Sequence, residues 1–295
     1  MTTAIGIDVN GERIVGGIVH LENGDVLLRR RRATPAKHSG DAVLAEVVEM
    51  ATGLWAEGRA PSLLPTCIGL SVCEDVDEAG EIVSGRIVPW KGMAVRRALA
   101  PVGAAMVDAG VRAAARAESR FGAGRGQAHF LYAMAASEVA ACLVLGGRPH
   151  MGLRGGGVFR GYAPLDLVDA RGRRMHFVLD EVASADAVAR HAGYSHISEA
   201  IAAAERGEDI RAWEALSLAG ESVGAVLGWL CRALGPQALV IGGDVARASD
   251  VFWAAASASA RRDMSDRLAV QRGALGDEAG MIGAALAACE ADATD

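Results

Sequence analysis

The sequence predicts a duplicated α/β fold, two domains with mixed sheets flanking a cleft. Three observations predict it. The opening stretch "AIGIDVNGERIVGGIVHLENGD" (4–25) reads as a strand, a tight corner and a returning strand. "HFLYAMAASEVAACLVLGGRPHMG" (129–152) repeats that order. Each meander is followed by strand–helix units, the pattern of helices layered on a sheet. The 295 residues suffice for two domains at roughly 100–200 residues each. The boundary is expected after residue 107, giving a smaller domain 1–107 and a larger one 108–295, with a final helix at about 277–290 packing back on the first.

Strands are expected at 4–9, 13–21 and 25–33, joined by Asn10-Gly11 and then by Glu22-Asn23-Gly24-Asp25. Asn-Gly between apolar runs predicts a hairpin, because both residues tolerate positive φ. In "DAVLAEVVEMATGLWAEG" (41–58), Val43, Leu44, Val47, Val48, Ala51 and Leu54 fall on one helical face. "TCIGLSV" (66–72) is a buried strand, "EAGEIVSG" (78–85) a turn and short strand, and "VGAAMVD" (102–108) a strand ending on an acid. A helix over 109–122 closes on Gly122.

In the repeat, Glu138 starts the second strand where Glu12 does so in the first half. Next come the Gly-rich loop "GLRGGG" (152–157), "RMHFVLDE" (174–181) and helices over about 184–234. The apolar strand "ALVIGGDV" (238–245) ends in Gly-Gly, and a helix (249–262), a strand (268–274) and the final helix complete the chain.

Composition narrows the function. Apolar residues make up 51% of the chain, and the net charge is −6. That balance disfavours a general nucleic-acid or anionic-membrane binder, which needs a basic face. The run Arg29-Arg30-Arg31-Arg32 is the basic exception and reads as a solvated strand end, where charge deters edge pairing. Five scattered cysteines without a C-x-x-C pair predict reduced thiols and a cytoplasmic protein. No uncharged apolar run approaches the ~18 residues of a membrane span, and no leader is expected before the first strand.

The order of elements resembles the actin/hexokinase-like (ribonuclease-H-like) ATPase fold, and within it the ROK family of sugar kinases and repressors. "IGIDVNG" with its hairpin resembles that family's first phosphate loop, and "IVPWKG" (87–92) the segment before its first-domain helix. "VDAGVRAAARAESRFGAGRG" (107–126) resembles its catalytic stretch, "LVIGGDVARASDVFW" its adenosine turn, and "GALGDEAGMIGAALAA" (273–288) its closing helix. The resemblance implies that Asp8 faces metal and phosphates, Gly11 belongs to the first loop, Gly242 and Gly243 form the adenosine turn, and Asp108 is the base that takes a proton from a sugar hydroxyl. The bland reading of Asp108 is a strand end that caps a helix.

The departures are more numerous. Glu12 stands where the family has Thr, and "ASEVA" (136–140) stands for Gly-Thr-Gly-x-Gly. Val107 replaces the Asn before the base, and Phe159 and Tyr162 replace a sugar-holding Glu and His. A sugar-contacting Asn falls near Arg86, and the zinc knuckle has no counterpart, so no metal is expected and His176 reads as a core or surface residue. Without zinc, 163–184 must be held by packing or become shorter and looser, and "MHFVLDE" points to packing.

A carboxylate ~4 Å from a phosphate charge repels it by ~4 kcal/mol at an effective dielectric of ~20. Glu12 and Glu138 are therefore expected to disrupt both phosphate loops, unless Mg²⁺ bridges them or they turn away to a base. Arg86, Arg154 and Arg160, with Phe159 and Tyr162, make the expected ligand cleft basic, suited to a small acidic ligand or a partner's carboxylates; alternatively the arginines pair with Glu12, Glu138, Glu74 or Asp75.

The function expected is thus a ROK sugar-kinase-like protein degraded in ATP and sugar binding. It would act as a binding or regulatory protein and a homodimer, with no cofactor, nucleic acid or membrane partner. The alternative is an active kinase of an atypical, acidic sugar-like molecule using Mg-ATP, with Asp108 as base. With its first strand at residue 4 the sequence shows no helix-turn-helix segment, so a repressor is not expected.

Overall fold

A computed structural model describes residues 2–35, 39–59, 63–262 and 268–292. In chain order the first elements are β1 (Thr3–Val9), β2 (Arg13–His20), β3 (Val26–Ala33), α1 (Gly40–Glu57), β4 (Pro65–Val72), α2 (Val95–Leu99), β5 (Ala105–Ala109) and α3 (Gly110–Phe121). They are followed by β6 (His129–Ala135), β7 (Val139–Leu145), β8 (Arg148–Pro149), β9 (Val158–Arg160), β10 (Leu165–Val168) and β11 (Arg174–Phe177). Four helices come next: α4 (Asp180–Ala183), α5 (Ala185–Ala192), α6 (Ile197–Glu205) and α7 (Ile210–Leu234). The chain closes with β12 (Ala238–Gly242), α8 (Asp244–Ala248), α9 (Asp250–Arg261), β13 (Ala269–Arg272) and α10 (Ala279–Asp292).

Two compact units result. One comprises Met1–Gly126, Gly147–Val158 and Asp277–Asp295; the other comprises Gln127–Gly146 and Phe159–Gly276. The change of unit follows Gly126 rather than residue 107. The reason is local continuity: Asp108 lies inside β5, which pairs in parallel with β4, and α3 follows without a break.

The first unit is built on a five-stranded sheet of order β3-β2-β1-β4-β5. Its meander is antiparallel, whereas β1, β4 and β5 run parallel. α1 buries Val43, Val47, Met50, Ala51 and Leu54 against this sheet's core. Ser39 starts the helix, its side chain accepting from the Ala42 amide. α10 lies with its backbone directly on the sheet and on α3. A Cβ on Gly69 would come within 1.8 Å of the Ala284 carbonyl oxygen, and one on Gly283 within 1.7 Å of that of Ala113. Absent side chains thus seat the closing helix in the first unit.

The second unit is built on strands in the order β13-β12-β6-β7, with β9 also paired to β7. β12 is parallel to both β6 and β13, and β6 is antiparallel to β7, so this sheet is mixed too. Helices α4 to α9 supply most of its core, with Leu216, Val223, Leu227, Phe252 and Ala256 fully buried.

Two local expectations are corrected, and two short helices are added. Asn10 and Gly11 do not use positive φ; the Asn10 carboxamide oxygen instead accepts the amides of Glu12 and Arg13, each at 2.9 Å, and shapes the corner. Residues 163–184 are not held by packing alone. β10 and β11 form an exposed antiparallel ribbon whose ladder runs from Leu165↔Phe177 to Val168↔Arg174. Helices α2 and α8 are too short, at five residues each, to show a full amphipathic period in the sequence.

Candidate functional site

β5 delivers Asp108 to a strand-to-helix junction, and α3 begins two residues later. The carboxylate is buried at 2% exposure. Its Oδ1 accepts from Arg112 Nε at 2.6 Å and from the Ala109 amide at 2.8 Å. Its Oδ2 accepts from Arg116 Nη1 at 3.2 Å. The two arginines stand one and two turns further along α3, on one face, because residues four apart lie above one another on a helix. Arg112 is itself fully engaged: Nη1 donates to the Gly155 carbonyl at 2.8 Å and Nη2 to that of Val76 at 2.9 Å. Arg116 also reaches Glu290, Nε to Oε2 at 3.1 Å.

A general base needs an oxygen open to the proton it abstracts. Here both oxygens of Asp108 already accept charge-assisted hydrogen bonds. Arg112 and Arg116 were missed in the sequence; the legible signal was the spacing D-x-x-x-R-x-x-x-R from 108 to 116.

The first loop follows the same theme. An anion is held by converging backbone N–H groups. The amides of Glu12 and Arg13 are spent on the Asn10 side chain, and the Asn10 amide on the Arg13 carbonyl. Gly11 is buried, with a Cβ position 3.0 Å from Ile87. Glu12 is exposed and makes no side-chain ion pair among the described residues. Asp8 is half-buried, receives the Ser71 hydroxyl, and lies against α10, where a Cβ on Gly280 would fall 2.4 Å from its Oδ1. The start of α10 is a favourable place for that charge.

In the second unit, Glu138 is buried and does not project its charge freely: Arg160 Nη1 donates to its Oε1 at 2.6 Å. The repulsion expected from Glu138 is thereby neutralised. The loop's amides are used internally instead. Ala136 donates to the Glu138 carbonyl, and Val139 to Asp180 Oδ1 at 2.8 Å. Gly242 and Gly243 end β12. Gly243 has φ of +90°, and a Cβ there would come within 2.4 Å of the Ala135 carbonyl oxygen. One on Gly242 would come within 2.5 Å of the Tyr132 hydroxyl oxygen. Close packing on β6 is a sufficient reason for both glycines, independent of any nucleotide.

The expected ligand-cleft residues divide between the units. Arg86 and Arg154 belong to the first; both are exposed, and Arg154 has a left-handed φ of 54°. Phe159, Arg160 and Tyr162 belong to the second, with Arg160 committed to Glu138 and Phe159 packed on the core. Glu74 belongs to the first unit. Its buried carboxylate organises the 84–88 loop, with Oε1 accepting the amides of Ile87 and Val88 and Oε2 the Arg86 amide and the Ser84 hydroxyl.

The metal question has a local answer. His176 is exposed on β11 and its Nδ1 lies 2.7 Å from Asp166 Oδ1 across the ribbon. Among the described residues, no three His, Cys, Asp or Glu side chains gather as metal ligands. The residues at 163–184 do not fit a zinc knuckle. Five amides of the two loops, those of Asn10, Glu12, Arg13, Ala136 and Val139, already donate within the protein. No described helix is long and apolar enough to cross a membrane.

Comparison with known proteins places this geometry in context. The model of the ROK family matches residues 4–291. The ROK hexokinase from Thermus thermophilus superposes with a TM-score of 0.78 at 26% identity, over 100% of both chains. A ROK family glucokinase from Streptomyces griseus, solved with glucose and AMPPNP, gives 0.84 at 21% identity, over 98% of this chain and 99% of that one. A ROK family transcriptional regulator, homologous to the E. coli MLC protein, gives 0.77 at 19% identity, over 96% of this chain and 77% of that one. No curated protein matches the sequence.

Proposed function

The chain belongs to the ROK family and has its actin/hexokinase-like fold, and from that premise we propose that it is a sugar-kinase-like protein that has lost phosphoryl transfer and works by binding. One observation carries the reading: Asp108, which the resemblance makes the expected base, has both carboxylate oxygens bound by Arg112 and Arg116 in a buried network. Proton abstraction there would require breaking two ion pairs, one of them fully desolvated. Breaking a buried pair costs roughly 3–5 kcal/mol, enough to slow a step by about 10²–10⁴-fold before any chemistry. The phosphate loops support the reading, since Asn10 occupies the amides of the first and Asp180 one of the second.

In this reading no cofactor is needed for function. Arg154, exposed in its loop, suits a small acidic ligand or the carboxylates of a protein partner, and the protein operates in the cytoplasm. Neither nucleic acid nor membrane is a partner.

The retained turn at Gly242-Gly243 and the retained Asp8 favour a second reading. It is an active kinase that takes Mg-ATP, with Asp108 released from its arginines by an atypical acidic, sugar-like substrate. Calorimetric titration with Mg-ATP, followed by a coupled assay for ADP over a panel of hexoses and acidic sugars, separates the two. The first reading expects no saturable heat and no turnover. Saturable Mg-ATP binding with sugar-dependent ADP release, lost in Asp108→Asn, would establish the second.

A further inference from the structure

Both signs of charge meet in a small hollow on the first unit. Glu81, Ala94, Arg96, Arg97 and Ala100 line it, and its volume is about 320 Å³. That is the lower end of the range for small-molecule sites, about 300–1,000 Å³. Its walls are set by the fold. The turn that carries Glu81 is fixed by Asp77, whose Oδ1 accepts the amides of Ala79 at 3.0 Å and Glu81 at 2.9 Å. The Val76↔Ile82 bridge closes that turn. α2 buries Val95 and Leu99 in the core, which leaves Arg96 and Arg97 outside. Arg96 joins turn to helix, its Nη1 donating to the Ala79 carbonyl at 3.0 Å.

Two charges in the hollow are under-used. Arg96 Nη2 stands 3.6 Å from Glu81 Oε1, further than a hydrogen bond reaches, so that carboxylate keeps acceptor capacity. Arg97 is exposed, and its guanidinium has no hydrogen bond or ion pair among the described residues. A planar guanidinium matches a carboxylate through two parallel N–H donors. A plain anion drawn to Arg97 would, however, meet the charge of Glu81. A plain cation drawn to Glu81 would meet Arg96 and Arg97. A molecule carrying both charges avoids either repulsion. The simplest chemistry of that kind is an ammonium and a carboxylate on one carbon. Ala94 and Ala100 present only methyl groups, which leaves room for a side chain.

We propose that this hollow binds a free α-amino acid, its carboxylate on Arg97 and its ammonium on Glu81. Arg96 holds the turn against α2 and keeps Glu81 in place. The proposal stands apart from the kinase question, since Glu81, Arg96 and Arg97 belong neither to the Asp108 network nor to the phosphate loops.

Calorimetric titration of the full chain with each of the common amino acids, without nucleotide, tests it. At least one is expected to bind saturably, one per chain, with Kd of about 1 mM or tighter. Its N-acetyl derivative, which lacks the ammonium, and its amide, which lacks the carboxylate, are each expected to bind at least tenfold more weakly. Arg97→Gln and Glu81→Gln, both exposed substitutions, are each expected to lose at least tenfold in affinity while keeping the wild-type circular dichroism. Amide shifts in the wild-type NMR spectrum, which need no variant, should concentrate at 77–82 and 94–100. No saturable heat from any amino acid up to about 20 mM overturns the proposal. So does acetate binding as tightly as the amino acid, which would mark an adventitious ion only. Affinity indifferent to Arg97→Gln or Glu81→Gln, or shifts centred elsewhere, also overturns it.

Discussion

Arg112 Nε donates to Asp108 Oδ1 at 2.6 Å across one turn of α3, with both side chains buried. The guanidinium's remaining donors go to the carbonyls of Gly155 and Val76, so the pair ties α3 to two loops of the first unit. The contact that occupies Asp108 Oδ1 thus also holds structure together.

Breaking the pair is therefore expected to be costly. Arg112→Met leaves a buried carboxylate with Arg116 as its remaining guanidinium partner beside the Ala109 amide, takes their Arg112 donors from two carbonyls, and should lower stability by roughly 3–5 kcal/mol. Asp108→Asn combined with Arg112→Met should recover part of this, because the uncompensated charge is gone. Urea unfolding of the singles and the double measures the coupling; a loss below about 1 kcal/mol for Arg112→Met would show the network to be ornamental.

Glycines offer a paired test. Gly69→Ala drives a methyl into the Ala284 backbone, 1.8 Å away, and should destabilise by about 1–3 kcal/mol or more as α10 is displaced. Gly53→Ala, in the middle of α1 with open space around the new methyl, should instead gain up to about 1 kcal/mol from helix propensity. Melting temperatures moving in opposite directions confirm that close approach, not composition, fixes Gly69.

Glu74 predicts a local effect. Glu74→Gln replaces one acceptor oxygen with a donor where three amides and a hydroxyl converge, and should cost about 1–3 kcal/mol. Limited proteolysis should find new cleavage within 84–88 while the second unit stays resistant. Unchanged digestion would mean that the loop holds its shape without the carboxylate.

Cys231 supplies a pH dependence. Burial against α7's neighbours pushes its thiol up to about 12, above the ordinary cysteine range. In the unfolded chain the thiol ionises first, so between its ordinary value and about 12 the folded state binds the extra proton. Stability from this group is complete below the ordinary value and falls as pH rises through that window. Native protein at pH 8 should leave Cys231 unlabelled by iodoacetamide, with labelling only after unfolding; mass spectrometry of peptides reads the outcome.

Much of the fold was legible in the sequence because it is written in local periods. The two meanders, α1 with Val43, Val47 and Leu54 on one face, the apolar strand at 238 and the closing helix all follow from backbone geometry repeating every two or 3.6 residues. The substitutions at Glu12, Glu138, Phe159 and Tyr162 were equally visible, as identities. Their consequences were not. Glu138 could be read as a charge facing a ligand, yet its partner Arg160 lies 22 residues away in sequence and 2.6 Å away in space. Asn10 read as a corner former through positive φ, whereas it shapes the corner through its carboxamide, which accepts the amides of Glu12 and Arg13.

The sequence by itself determined the order of strands and helices and the family resemblance, since each depends on neighbours along the chain. Only the tertiary structure decided which charges cancel, which amides remain available, and why Gly69 and Gly243 must stay bare. Hydrogen bonds and ion pairs form between whichever groups the fold brings within about 3 Å, and steric limits act between backbones that meet only after folding. Neither distance is encoded in spacing along the chain.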